Sequence, residues 1–269
     1  MNTFESLFEK INNAKALDFG DIISRTIELF KKVWLQGFLL MIILCVVMTP
    51  LFVAIYMPMY TSLVDQMQNG GYNPNDANNL LGMQSDSFRY KIMGLTFIIS
   101  FITTALVAAF YKVIRKLDND EVFRFSDFFQ FFRGKYFDRI FAIASFSLLI
   151  ALLNFAFEKF LSPNTAILLN LLMNIILSIY TTLFVVFFAF NPNLKAGEFF
   201  SLSFNLGSKK WFLIFGLLVV TGLLACLGFI ACGLGVLFTV SIVYLPVYFV
   251  YKDVVGFNEI SDIDQIGKE

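Results

Sequence analysis

The sequence LDFGDIISRTIELFKKVWLQGFLLMIILCVVMTPLFVAIYM, residues 17–57, contains the pattern that decides the fold. Up to Lys32 it mixes apolar residues with charged ones at helical spacing, which is typical of an amphipathic helix. From about Val33 to Met57 it is apolar and carries no charge. About 20 such residues are enough for a helix to cross a bilayer, so this run predicts a first transmembrane span.

Further apolar runs follow along the chain, at about Ile92–Ile114, Phe137–Phe157 and Ala166–Phe190. A last uncharged stretch, from Trp211 to Val250, is 40 residues long and has Gly233 and Gly235 near its centre. Because glycine permits a tight turn, this stretch is interpreted as two spans. The sequence therefore predicts an all-α, polytopic transmembrane helical bundle of six spans, forming a single membrane domain over residues 1–269.

The composition agrees with a lipid environment. Hydrophobic residues make up 58% of the chain and charged residues 15%, against about 25% charged in soluble domains. Membrane lipids are therefore expected partners. The zero net charge argues against a nucleic-acid partner, and a homo-oligomer or a protein partner stays open.

The basic residues predict the orientation of the chain, because lysine and arginine concentrate in cytoplasmic segments. One side of the predicted topology holds 17 of them and the other holds only Arg89, Lys91 and Lys159. We expect a multi-pass protein of the bacterial cytoplasmic (inner) membrane, with both termini in the cytoplasm.

A motif recurs before the odd-numbered spans. Phe19-Gly20-Asp21 precedes Trp34, and Ala196-Gly197-Glu198 precedes Trp211, with 13 residues from acid to tryptophan in each case. A shorter version runs from Phe125-Ser126-Asp127 to Tyr136. This predicts three hairpin repeats, at about 17–116, 123–190 and 194–252, followed by a tail at 253–269. Each repeat would begin with an interfacial amphipathic helix, and Trp34, Tyr136 and Trp211 are its candidate anchors.

Polar side chains form stripes on two predicted spans. In the fourth span they are Asn170, Asn174, Ser178, Thr181 and Thr182, and in the second they are Thr96, Ser100, Thr103 and Thr104. Most are spaced by four residues, which places them on one helix face. Asn154 adds an amide in the third span. Two interpretations stay open: hydrogen bonding between packed helices, or a polar pathway or headgroup groove.

Several kinds of chemistry lack the residues they need. The chain has no histidine, and Cys45, Cys226 and Cys232 have no metal-binding spacing, so we expect no metal site and no cofactor. No charged residue lies deep within a span, which argues against a proton-driven pump. The acids Asp21, Asp127 and Glu198 have the positions of helix-start residues. We therefore expect that the protein is not an enzyme.

Two local features complete the prediction. The stretch from about Pro58 to Tyr90 is rich at its centre in Asn, Gln, Gly and Asp, which predicts a flexible, solvated outer loop. Pro50 and Pro246 lie inside predicted spans and could each mark a kink.

Residues 17–40, together with the similar segments before the third and fifth spans, resemble a broad group of bacterial, Bacteroidota-type multi-pass membrane proteins. That group includes the membrane domain found fused to glycerophosphodiester phosphodiesterases. The hydrolase domain is not among these residues, so the resemblance implies no activity. The sequence is also similar to flavobacterial proteins sometimes labelled beta-carotene 15,15'-monooxygenase. That chemistry is implied to need iron-binding histidines, which this chain lacks.

Three functions follow as hypotheses. The first is a non-enzymatic membrane protein that organises lipid or partner proteins. The second is a transporter or channel for a neutral or lipidic solute. The third, a membrane enzyme acting on lipid, has the least support, because its candidate acids are those at the predicted helix starts.

Overall fold

Helices account for all the regular secondary structure in the part of the chain that the structure, a computed structural model, describes: residues 3–69, 86–230, 233 and 235–257. The α-helices are α1 (Phe4–Asn12), α2 (Phe19–Gln68), α3 (Asp86–Asp118), α4 (Phe137–Phe160), α5 (Pro163–Phe190), α6 (Ala196–Cys226), α7 (Val236–Thr239) and α8 (Tyr244–Val254). Short 3₁₀ segments lie at Phe125–Phe129, Gly134–Tyr136, Leu227–Ile230 and Val240–Val243.

The described residues contain six helical segments that are long and apolar enough to cross a membrane. This confirms the predicted polytopic bundle. Consecutive helices pack against each other from α3 to α6, α2 packs against α3, and α3 also contacts α5. The last helix, α8, contacts α2, α3, α5 and α6, and most of its side chains are buried. It therefore forms the centre of the bundle.

Helix α2 differs from the prediction at both ends of its span. The amphipathic run and the first span form one helix of 50 residues, without a break at Lys31–Trp34. The reason is that no glycine or proline stands between them to end the helix. The helix also continues through Pro58 to Gln68, so the outer loop starts later than predicted. Of the predicted flexible centre of that loop, residues 66–87, the part from 70 to 85 lies outside the described residues.

Helix α6 does show the predicted division between amphipathic segment and span. Its backbone leaves helical geometry at Lys210, with φ −118° and ψ 21°. At this kink the Lys210 ammonium donates to the carbonyl of Lys15 at 3.0 Å, and Lys209 donates to the side chain of Asn12. Helix α1, which the sequence analysis missed, therefore packs beside the kink.

The three motif acids have the same position at the start of their elements. Asp21, Asp127 and Glu198 each occupy the third position after the N-cap. Asp127 and Glu198 accept a hydrogen bond from the N-cap backbone N–H, at 2.9 and 2.8 Å. In α2 the cap is instead Asp18, whose carboxylate accepts from the N–H of Asp21 at 2.8 Å. The repeat itself stays a prediction.

The sixth span is not one continuous α-helix. Val240–Val243 forms a 3₁₀ segment between α7 and α8, and Pro246 is the third residue of α8. Proline fits the first turn of a helix, because its missing N–H has no partner there in any case. Pro246 therefore accompanies the start of α8 and does not kink a longer helix.

Ion pairs and hydrogen bonds join the helices at one end of the bundle, named here the basic end, where Arg25, Lys116 and Lys252 lie. Arg25 pairs with Asp253, linking the first turns of α2 to the end of α8, with an Nη1–Oδ1 distance of 3.0 Å. Lys10 donates to the carbonyl of Val255 at 2.8 Å. The start of α2 and the end of α8 therefore lie at the same end of the bundle.

Candidate functional site: a polar groove between α3, α4 and α5

Three neighbouring cavities between α3, α4 and α5 share lining residues and form one polar groove. The ion-pair cavity, of about 320 Å³, contains Arg89 and Glu158. The amide cavity, of about 420 Å³, contains Asn154 and Asn174. The tyrosine cavity, of about 310 Å³, is lined at its far end by Tyr111 and Tyr244.

The shared residues connect the cavities in that order. Thr96, Ala151 and Asn154 line both the ion-pair and the amide cavity. Ser147 and Thr181 line both the amide and the tyrosine cavity. Along α3 the groove extends from Arg89 to Tyr111, which is about 33 Å at the helical rise of 1.5 Å per residue. This length matches the hydrocarbon thickness of a bilayer, about 30 Å.

The ion-pair cavity holds the charged residues of the groove. Arg89 Nη1 lies 2.8 Å from Glu158 Oε2, so the pair joins the first turns of α3 to the end of α4. The Arg89 guanidinium also lies over the ring of Phe155, at 5.4 Å from its centroid. The charges of Arg89 and Glu158 therefore neutralise each other at this end of the groove.

Two amides face each other across the amide cavity. Asn174 Nδ2 donates to Asn154 Oδ1 at 3.2 Å and to the carbonyl of Asn170 at 2.7 Å. Asn174 and Ser178 are exposed at the bundle surface. The groove therefore opens laterally along α5.

Most hydroxyl groups of the stripes bond within their own helix. Ser178 donates to the carbonyl of Ile175, and both Thr181 and Thr182 donate to that of Ser178, at distances of 2.8 to 2.9 Å. Thr96 and Thr103 donate to carbonyls in α3, at 2.9 and 2.8 Å. Their hydrogens are thus used locally, while their oxygen lone pairs remain able to accept.

Besides the Arg89–Glu158 pair, two side-chain hydrogen bonds in the described part of the chain join different helices of the groove. One is Asn174 to Asn154, between α5 and α4, and the other is Ser100 to Ser147, between α3 and α4, at 2.8 Å. The polar stripes therefore supply some hydrogen bonding between helices, but most of their groups line a cavity.

Two tyrosines close the groove toward the basic end. The rings of Tyr111 and Tyr244 meet edge to face, with centroids 6.1 Å apart. Tyr111 is fully buried, and its hydroxyl has no hydrogen-bond partner in the described structure. Phe190 packs beside Tyr111 at 6.5 Å and is itself stacked on Tyr251 at 5.0 Å. Aromatic rings thus separate the groove from the ion pairs of the basic end.

The structure brings together most of the predicted stripe residues, although they come from two spans. Eight of the nine line the groove: Thr96, Ser100, Thr103, Thr104, Asn174, Ser178, Thr181 and Thr182. The ninth, Asn170, does not line it, and its side-chain oxygen is buried without a partner in the described residues.

Ser147, Tyr111 and Tyr244 also line this site, although they are not among the residues predicted from the sequence. Ser147 lies seven residues before Asn154, a spacing of two helical turns that would have placed both on one face of α4. Nothing in the sequence marks Tyr111 and Tyr244 as neighbours, since they come from different hairpins.

The predicted interfacial anchors make aromatic contacts. Trp34 is half-exposed and lies 6.1 Å from Phe238, while Trp211 is stacked on Phe215 at 5.0 Å. Tyr136 packs against Phe131 at 5.0 Å. Their position relative to lipid headgroups stays a prediction.

No protein-family model, curated protein or solved structure matches the chain. The groove therefore has to be interpreted from its own chemistry.

Proposed function

We propose that this multi-pass membrane protein is non-enzymatic and holds a membrane lipid, with the polar part of the lipid in the groove and its acyl chains along α5. The observation that carries this proposal is the lateral opening of the groove at Asn174 and Ser178. A polar group that faces the hydrocarbon of a membrane without a hydrogen-bond partner raises the free energy of the protein. Water or the polar part of an amphiphile must therefore fill the groove.

The surface of α5 beside the opening is suited to acyl chains. Ile167, Leu168 and Leu171 are exposed by 67, 55 and 56%. An amphiphile with its polar part in the amide cavity could lay its chains along this apolar surface. The proposal also agrees with the uncharged character of the stripes, which offer hydrogen bonds without attracting a free ion.

The test is the amount of lipid that remains bound after purification. We expect Asn174→Leu combined with Ser178→Ala to reduce retained lipid about fivefold or more, because it removes two polar groups from the opening. Thr49→Val is the matched control: Thr49 is an exposed hydroxyl that donates to the carbonyl of Cys45 at 2.7 Å, on a helix outside the groove. Lipid is counted by native mass spectrometry. Equal retention in the double variant and the control would rule the proposal out.

A second candidate function is a pathway for a neutral or lipidic solute. The length of the groove, about 33 Å along α3, favours it. The tyrosine pair would then have to move for the solute to pass. Proteoliposomes that show no flux of any neutral solute or lipid, while still retaining bound lipid, would favour holding over transport.

We also propose that both termini lie in the cytoplasm of a bacterial cell, and that the hairpins are repeats of one unit. The excess of lysine and arginine at one side, 17 against three, supports this orientation. The shared position of Asp21, Asp127 and Glu198 supports the repeat. A C-terminal alkaline phosphatase fusion should be inactive and a C-terminal fluorescent fusion bright. The reverse result would contradict the orientation.

A further inference from the structure

The tyrosine cavity has an unusual set of hydrogen-bonding groups. Serine and threonine hydroxyls line it, from Ser100, Thr103, Thr104, Ser147, Thr181 and Thr182. Ser100 donates its hydrogen to Ser147, Ser147 donates to the carbonyl of Ile143, and Thr103 donates within α3. Thr181 and Thr182 likewise donate within α5. With five of these six hydrogens committed, the wall of the cavity is mainly a hydrogen-bond acceptor.

Tyr111 supplies the complementary donor. Tyr111 is one of the residues that line the cavity, and its buried hydroxyl has no partner in the described residues. Buried polar groups in proteins are almost always hydrogen-bonded, so an orphaned one at a cavity wall points to a group that is brought in from outside.

The cavity contains no charged residue among its described lining. The nearest residue of that kind in sequence, Lys112, has its ammonium over the ring of Phe190, at 5.2 Å from the centroid. A phosphate or carboxylate would therefore meet acceptors without a cation. The volume, about 310 Å³, is at the lower end of small-molecule sites and far larger than a single metal ion needs.

We propose that the tyrosine cavity binds an uncharged polyhydroxyl group, a glycerol or sugar unit. Several ligand hydroxyls would donate to the serine and threonine oxygens, and one ligand oxygen would accept from Tyr111. This inference rests on the proposed function for its lipid source, since the group reaches the cavity through the amide cavity. The same chemistry is presented by a sugar-headed lipid and by a free polyol.

The experiment uses the full-length protein in phosphatidylcholine nanodiscs, because sugar-headed detergents would compete for the site. The lipid probes are a monoglucosyl diacylglycerol and, for comparison, phosphatidylglycerol, counted by native mass spectrometry. The free probe is glucose, measured by saturation-transfer NMR. We expect the glucolipid to be retained in preference to phosphatidylglycerol.

Tyr111→Phe removes only the donor hydroxyl. We expect it to weaken binding of the glucosyl group about 5- to 10-fold. In the empty protein it should leave the melting temperature unchanged or raise it, since it removes a buried group without a partner. A purely structural role for the hydroxyl would instead lower stability and leave binding alone. Tyr136→Phe, whose ring lies outside the groove, is the control.

The outcomes separate this inference from the proposed function. Retention of both lipids alike, unaffected by Tyr111→Phe, would overturn the polyol site while the lipid-holding function stood. Binding of glucose with no retention of either lipid would support the polyol site and overturn the lipid-holding function. Failure of both glucosyl probes to bind would overturn the polyol site.

Discussion

Gly37 of α2 and Ser241 of the Val240–Val243 segment lie in direct contact, and a Cβ atom at position 37 would overlap both Oγ and Cβ of Ser241. This close approach brings the sixth span against α2 at the point where the sixth span changes from α to 3₁₀ geometry.

Gly37→Ala should therefore destabilise the protein by about 1–3 kcal/mol, because added volume in a packed interface forces the backbones apart. The measurement is thermal unfolding in detergent. Gly94→Ala, where the new Cβ would meet nothing within 4 Å, is the control and should be neutral or slightly stabilising. Adding Ser241→Gly to Gly37→Ala should restore stability. A Gly37→Ala variant as stable as the Gly94→Ala control would contradict the assigned packing.

Asp118, the last residue of α3, joins that helix to α8. Its carboxylate accepts from the Tyr248 hydroxyl at 2.7 Å and from the Lys252 ammonium. Tyr248→Phe should cost about 1.5 kcal/mol or more, as expected for a hydrogen bond to a charged group. A double-mutant cycle with Asp118→Asn measures the coupling directly. Additive effects of the two substitutions would show that the contact contributes nothing to stability.

Helix α1 should be held by two buried side chains, Leu7 and Ile11, which are 0 and 1% exposed. Leu7→Ala should release α1 from the bundle, since truncating a buried leucine costs about 2–5 kcal/mol. Hydrogen exchange of Phe4–Asn12 is the readout and should accelerate at least tenfold. Phe8→Ala, at a side chain that is 36% exposed, should leave that exchange nearly unchanged. Equal exchange in both variants would disprove the docking.

The stability that the Phe125–Phe129 segment contributes should depend on pH, because Asp127 titrates. Burial raises the pKa of this carboxyl, but hydrogen bonds from Lys116 and from the Arg124 N–H lower the pKa by more than burial raises it. The pKa of Asp127 therefore lies below its usual value. The carboxylate therefore stabilises the fold above pH ~4, and this contribution is lost as the pH falls through the folded pKa. The difference in melting temperature between wild type and Asp127→Asn should therefore become smaller as the pH is lowered through this range. A pH-independent difference would contradict this role.

Sequence patterns were most successful where a single helix decides the outcome. The predicted start of the third span at Phe137 and end of the fourth at Phe190 coincide with the ends of α4 and α5. The helix-start role of Asp21, Asp127 and Glu198 is also local, since it needs only the N-terminal turn of one element. Hydrophobic length and capping act over a few turns, so they can be recognised without knowing the neighbours.

The sequence alone thus determined that the protein lies in a membrane, how many spans it has and which faces of two spans are polar. Which faces meet was decided only by tertiary packing. A spacing of four residues places Ser178 and Thr182 on one side of a helix, but it does not say which helix that side approaches. The opposition of Tyr111 to Tyr244, from hairpins far apart in sequence, depends on long-range packing of side chains around α8. The groove exists because these contacts leave space between the polar faces of α3, α4 and α5.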